Sequence, residues 1–164
     1  MGKSGGSMKL LIEDVTIRKV ETIDSETSVR EATEHMISRS TSCLIVLTGG
    51  AISGILTTFD VVSRVVAKGL DPEGTRVVDV MSKPVIMMRP DAPLEEAIKI
   101  MLQHKIKKIP LVTSHAYEDR LVGLLSLSDI IESHSEIFSQ LWEEALMITT
   151  VIAEKGEFVV VATQ

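Results

Sequence analysis

Two stretches of this 164-residue sequence repeat one chemical pattern: Gly54-Ile-Leu-Thr-Thr-Phe-Asp60 and Gly123-Leu-Leu-Ser-Leu-Ser-Asp129. Each is a glycine, two apolar residues, a hydroxyl residue, two spacers and a carboxylate. Each sits where an apolar strand-like run leads into a helical pattern. A helix N-terminus presents unpaired N–H groups and a partial positive charge, which suits a phosphate. Thr57 or Ser126 adds a further donor there. A carboxylate three residues on, Asp60 or Asp129, repels a phosphate that it faces but accepts well from two vicinal hydroxyls, as on a ribose. Phosphate donor and ribose acceptor together outline a nucleotide site, and aliphatic strands alongside can hold an adenine. The same residue types are also ordinary helix caps, and a repeat duplicates caps as readily as sites, so both readings stand.

Few other residues offer chemistry. His35, His104, His115 and His134 share no equivalent positions and no ligand spacing, so no metal site is expected; His104 neighbours the basic run Lys105–Lys108. Cys43 lies in an apolar run and reads as a small core residue, with no His or Asp placed to activate it. Arg64, four residues after Asp60, points either back to the same place or out to solvent. No activated nucleophile, acid/base pair or Walker glycine loop is present, so catalysis is not expected.

The elements that must position the motif come from an internal duplication. An offset of 65 places Asp14-Val15 over Asp79-Val80, Val20–Ile23 over Val85–Met88, Val29 over Leu94, Ala32 over Ala97, Met36 over Met101, and Leu44–Leu47 over Ile109–Val112. A loop insertion raises the offset to 69, which superposes the two motifs. The chain then divides into a flexible lead or expression remnant (1–8), a first repeat (9–69), a linker (70–76), a second repeat (77–136) and an extension (137–164). Each repeat reads β-α-β-β-α. The first strand is Val20–Ile23 or Val85–Met88. Leu94, Ala97, Ile98, Met101 and Leu102 form one helical stripe, matched by Val29, Ala32, Met36 and Ile37. Ser28 with Glu31 predicts a capping box, and Asp91 with Pro93 predicts a second helix start. Unbroken apolar runs at Cys43–Leu47 and Ile109–Val112 predict strands buried on both faces. The strands Ile52–Leu56 and Arg120–Leu125 follow, then helices from Asp60 and Asp129, the first closed by Gly69. In the extension, Ile137, Leu141, Trp142, Ala145 and Leu146 mark an amphipathic helix and Phe158–Ala162 a strand, with Trp142 as anchor.

Composition excludes several classes. The net charge of −6 and the low aromatic content, 3%, lack the basic footprint and stacking platforms of nucleic-acid binders. No run approaches 18 apolar residues, so no membrane span is expected. One cysteine excludes an intramolecular disulfide. With no apolar leader at the N-terminus, the expected location is the cytoplasm.

The repeat resembles a pair of CBS domains, the tandem arrangement called a Bateman module. The resemblance lies in Asp79-Val-Met-Ser-Lys-Pro84, Pro90-Asp-Ala-Pro-Leu-Glu-Glu-Ala97, Lys108-Ile-Pro-Leu-Val112 and Gly123–Asp129. The first copy is looser, with Thr16 for Met81 and Ile45 for Pro110. The resemblance implies an α/β (α+β type) fold of two β-α-β-β-α repeats packed through their sheets with pseudo-twofold symmetry. It implies clefts between repeats that bind AMP, ADP or ATP, or S-adenosylmethionine, as a regulatory ligand rather than a cofactor, in a homodimer that regulates another protein. Carried over residue by residue, Thr57 and Ser126 meet phosphate, and Asp60 and Asp129 meet ribose. Adenine lies near Thr22, Ile23 and Val46, or Met87, Met88 and Leu111. Lys107 and Lys108 neutralise phosphate; their first-copy equivalents, Ser42 and Cys43, are uncharged, so the two sites are expected to be unequal. The other readings are a ligand-free dimerisation scaffold, in which the motif residues are only caps, and a minimal nucleotide hydrolase.

Overall fold

A computed structural model describes residues 10–15, 17–115, 118–137 and 139. Apart from Ile137, the expected tail helix, its anchor Trp142 and the strand Phe158–Ala162 lie outside the described residues.

The first repeat follows its pattern. Strand β1 (Thr22–Asp24) runs parallel to β2 (Cys43–Thr48), which turns back into β3 (Ala51–Thr57), giving the sheet order β1-β2-β3. Cys43, Leu44, Ile45 and Val46 are all fully buried, as an unbroken apolar run predicts. The β2–β3 turn pairs Thr48 with Ala51 across Gly49 and Gly50, both at positive φ. A two-residue hairpin of this hand needs positive φ at both centres, which Gly-Gly supplies without strain. Helix α1 (Val29–Ser38) is capped by Ser28, whose hydroxyl accepts from the Glu31 amide at 3.1 Å. Val29, Ala32 and Met36 are buried, whereas Ile37, placed on the same stripe by its spacing, is 74% exposed. It stands about 100° around the helix from Met36, off the packed face. Replacing Ser28 by alanine is expected to cost about 1 kcal/mol in urea denaturation.

The second repeat keeps the order but not the first strand. Helix α4 (Leu94–His104) leads to β4 (Lys108–His115), paired with β5 (Glu118–Ser126), and a helix α5 at residues 127–137. In place of a strand at Val85–Met88 there is one parallel bridge, Met88 to Leu111. The cause is legible: in the first copy the Ile45 amide donates to the Glu21 carbonyl at 2.9 Å, and the residue at the position of Ile45 is Pro110, which has no N–H to give. At the end of the first repeat, a helix α2 (Thr58–Val61) widens into a π turn at Val62–Val66, and a short α3 (Val77–Val80) opens the second repeat.

Contacts gather these elements into two compact units that do not follow chain order. One joins the described residues of 10–15 to Pro90–Ile109 and the described residues from Leu125 onward; the other joins Ile17–Arg89 to the described residues of 110–124. In the second of these, Val29, Ala32, Met36, Leu44, Val46, Leu56, Val65, Val77, Val80 and Met81 form one core.

Each unit contains a crossed cap. The Val29 amide opens α1 by donating to the Thr75 carbonyl at 2.9 Å, and Ser28 bridges Arg76. The Leu94 amide opens α4 by donating to the Leu10 carbonyl at 2.9 Å, and Leu11 bridges Pro93. The offset of 65 converts one set into the other, so each helix is started by the segment that leads into the other repeat. This corrects the expected role of Asp91: the N-cap of α4 is Pro93, whose side chain has no acceptor to offer, so the helix starts without a side-chain cap. Exposed ion pairs accompany the first crossing, with Arg76 bonded to Glu26 at 2.8 Å and Arg30 to Glu73 at 2.9 Å. The hydrogen bond with Glu26 is the main cause of the raised Arg76 pKa. Such exposed pairs contribute little to stability.

Among the described residues, no helix is long and apolar enough to cross a membrane, and no three His, Cys, Asp or Glu side chains converge on a metal position.

Candidate functional site

The motif sits on the strand-to-helix turns. Thr57 ends β3 opposite Cys43, and the Thr58 amide donates to the Ser42 carbonyl at 3.1 Å. Those contacts leave Thr57 extended, at φ −116° and ψ 163°, as the N-cap of α2. Its hydroxyl accepts from the Asp60 amide at 3.2 Å and donates to Asp60 Oδ2 at 2.6 Å, and its amide donates to the same oxygen at 2.8 Å. This is a reciprocal capping box with aspartate in the glutamate position.

The other carboxylate oxygen is engaged from outside the motif. Asp60 Oδ1 accepts from the Ser82 hydroxyl at 2.9 Å and lies 3.2 Å from Arg64 Nη2. Arg64 also donates to the Ser82 hydroxyl at 3.0 Å and to the Val80 carbonyl at 2.7 Å. Asp60 is 4% exposed; its carboxylate accepts three hydrogen bonds and is ion-paired with Arg64, so both oxygens have protein partners. Of the two directions open to Arg64 in the sequence, the chain takes the one towards Asp60. Ser82 was not foreseen. It belongs to a stretch quoted for the family resemblance, but no spacing relates it to Asp60, 22 residues away.

The strand residues assigned to adenine are neighbours in both copies. Thr22 pairs with Ile45 and Ile23 with Val46 in β1–β2. Met88 pairs with Leu111, with the Met88 amide donating to the Pro110 carbonyl at 3.1 Å and the Val112 amide to the Met88 carbonyl at 2.9 Å. The offset of 65 carries Ile23 and Val46 onto Met88 and Leu111. Val46, Met88 and Leu111 are buried, Ile23 and Met87 half-buried and Thr22 exposed.

The second motif is built differently. Ser126 and Asp129 are 8% and 3% exposed. The Ser126 hydroxyl is 2.9 Å from the Ser128 hydroxyl, and Ser133 bonds the Asp129 carbonyl at 2.6 Å. The Leu127 amide donates to the Lys107 carbonyl at 2.9 Å, the counterpart of Thr58 with Ser42. The basic residues therefore adjoin the Ser126–Asp129 motif: Lys107 is exposed and Lys108, which opens β4, is half-buried. Cys43 is a free, fully buried thiol on β2.

Comparison with known proteins locates the same duplication. The CBS domain family matches residues 12–67 and again 77–136. The CBS domain-containing protein YhcV of Bacillus subtilis is 30% identical over 119 residues, covering 73% of this chain and 81% of that protein. An inosine-5'-monophosphate dehydrogenase of Thermoplasma acidophilum is 36% identical over 119 residues, covering 73% of this chain and 22% of the dehydrogenase. Across curated relatives that match, the share of their length spanned ranges at least from 17% to 81%. Among solved structures, a hexameric CBS-CP12 protein from bloom-forming cyanobacteria superposes with a TM-score of 0.69 at 26% identity, covering 93% of this chain and 92% of that one.

Proposed function

The chain belongs to the CBS-domain family as a tandem pair, and from that premise we propose that it is a regulatory module that binds an adenine nucleotide and reports its level to a separate protein. The observation that carries this reading is the matched strand pairing. Ile23 beside Val46 and Met88 beside Leu111 are the same aliphatic neighbours in both copies, each in a repeat that ends on a hydroxyl–carboxylate helix start. AMP, ADP and ATP share the adenosine that such a surface recognises; S-adenosylmethionine is the variant to test beside them. The module works in the cytoplasm as a homodimer or larger assembly; the cyanobacterial neighbour is hexameric. Binding acts by favouring one conformation over another, to the extent that the nucleotide's affinity differs between them. The dehydrogenase match, 22% of that enzyme, suits a regulatory part rather than a catalytic one.

The scaffold reading has one specific observation in its favour, the engagement of both Asp60 oxygens by protein groups. A thermal shift series separates the two. At a free nucleotide concentration of 100 times Kd, binding stabilises by about 2.7 kcal/mol, so a rise of several degrees with AMP, ADP or ATP is expected. No shift with any of them or with S-adenosylmethionine supports the scaffold. Formation of ADP or phosphate from ATP would support the hydrolase reading instead.

A further inference from the structure

We propose that the first motif copy is not a ligand site but a built-in clasp, in which Arg64 and Ser82 take the Asp60 oxygens that a ribose would need, and that nucleotide binding depends on the second copy. This rests on the nucleotide reading for its second half only.

Three observations carry it. First, both Asp60 oxygens are engaged: Oδ2 accepts from the Thr57 amide and hydroxyl, and Oδ1 accepts from Ser82 and is ion-paired with Arg64. The Thr57 hydroxyl proton points to Asp60, so it is not offered to a phosphate. Second, the clasp joins distant parts of the chain. Arg64 sits in the π turn of α2 (a form of helix that recurs at functional positions) and reaches Val80 and Ser82, whose main chain is bridged to β3 through Ile55 at 2.8 and 3.0 Å. It therefore fixes α2 to the segment that opens the second repeat. Third, the other copy has different residue types at the positions equivalent to the two clasp partners. The offset of 69 places Ser133 where Arg64 stands, and the offset of 65 places Ile17 where Ser82 stands. The basic Lys107 and Lys108 adjoin the second motif, where the first has Ser42 and Cys43.

Two measurements on the full chain test this. The first is a ligand-free double-mutant cycle in urea with Asp60→Asn and Arg64→Met, and Ser82→Ala as a milder companion. Each single change is expected to lower stability. The double is expected to fall short of the sum, because contacting residues couple. Additive effects, or an unchanged midpoint in all three variants, overturn the clasp. The second is calorimetry with AMP and ATP. One nucleotide per chain is expected, with Kd changed less than about 2-fold by Asp60→Asn and weakened at least about 10-fold by Asp129→Asn, a loss of one decade or more in affinity. A 10-fold loss in Asp60→Asn overturns the assignment. If the unaltered chain binds neither nucleotide, the binding reading fails, and the cycle alone decides the clasp.

Discussion

Replacing Ile12 by alanine is expected to lower the unfolding free energy by about 3 kcal/mol, within the range of large-to-small changes in a close-packed interior. Ile12 is fully buried in the segment that opens the first repeat. Its own unit is not the one that holds α1. The Ile12 amide donates to the Ala92 carbonyl and the Glu13 amide to the Pro90 carbonyl, both at 2.9 Å, while Leu10 caps Leu94. The damage should therefore surface in the second repeat. Hydrogen exchange at the Leu94 amide is expected to quicken under native conditions, while the Val29 amide, held by Thr75, keeps its protection. A loss below about 1 kcal/mol, far under the usual range for a buried isoleucine, would contradict this, as would faster exchange at Val29 instead of Leu94.

The motif glycines give the second large effect, and an unequal one. A Cβ on Gly123 would overlap Ile17 Cγ2, with the Arg18 carbonyl oxygen 3.3 Å away. A Cβ on Gly54 would overlap the Met81 thioether. Isoleucine is branched at Cβ and has few rotamers to retreat into, and main chain lies behind it; methionine is unbranched and adapts. Gly123→Ala is expected to cost about 2 kcal/mol, the middle of the range for overpacking. Gly54→Ala should cost less than about 1 kcal/mol, because a flexible side chain gives way. Urea denaturation of both variants checks the order. Ile17→Ala should recover much of the Gly123→Ala loss, since it removes the obstructing methyl. Equal losses at the two glycines, or no recovery, would mean that some other contact sets the cost.

These glycines show what the sequence could and could not disclose. Their place at the head of the motif is plain from alignment of the copies, but the reason is a side chain from the segment leading into the other repeat. An offset states which residues are equivalent. It does not state whether equivalents close on their own copy or on the other. The pairings of Ile23 with Val46 and of Met88 with Leu111 join residues that the family resemblance had grouped, and the Ser28 cap was legible from its spacing to Glu31, although Glu31 meets the Ser28 hydroxyl and not its amide. The crossed caps from Leu10 and Thr75 are made by main-chain carbonyls, which leave no mark on residue type, so Asp91 was read as a cap in their stead. The lost strand at Val85–Met88 was readable in principle, because Pro110 announces a missing donor. Arg64 was visible as a neighbour of Asp60 one helical turn on. Its direction was set by the π turn and by Ser82, neither of which has a spacing signature.

The crossed caps carry a consequence for how such a chain can arise. Collapse the duplication, and the two crossings become a single contact made twice, between two molecules. Helix one would be started by its partner's leading segment, and the partner's helix by its own, which is an isologous arrangement. The tandem chain is the fused form of that exchange. Residues 70–76 convert an encounter between molecules into one within a chain, at an effective concentration in the millimolar range for a short tether. A single chain thereby removes protein concentration as a variable in closing the fold and allows its halves to differ, one carrying Arg64 and the other Lys107 and Lys108.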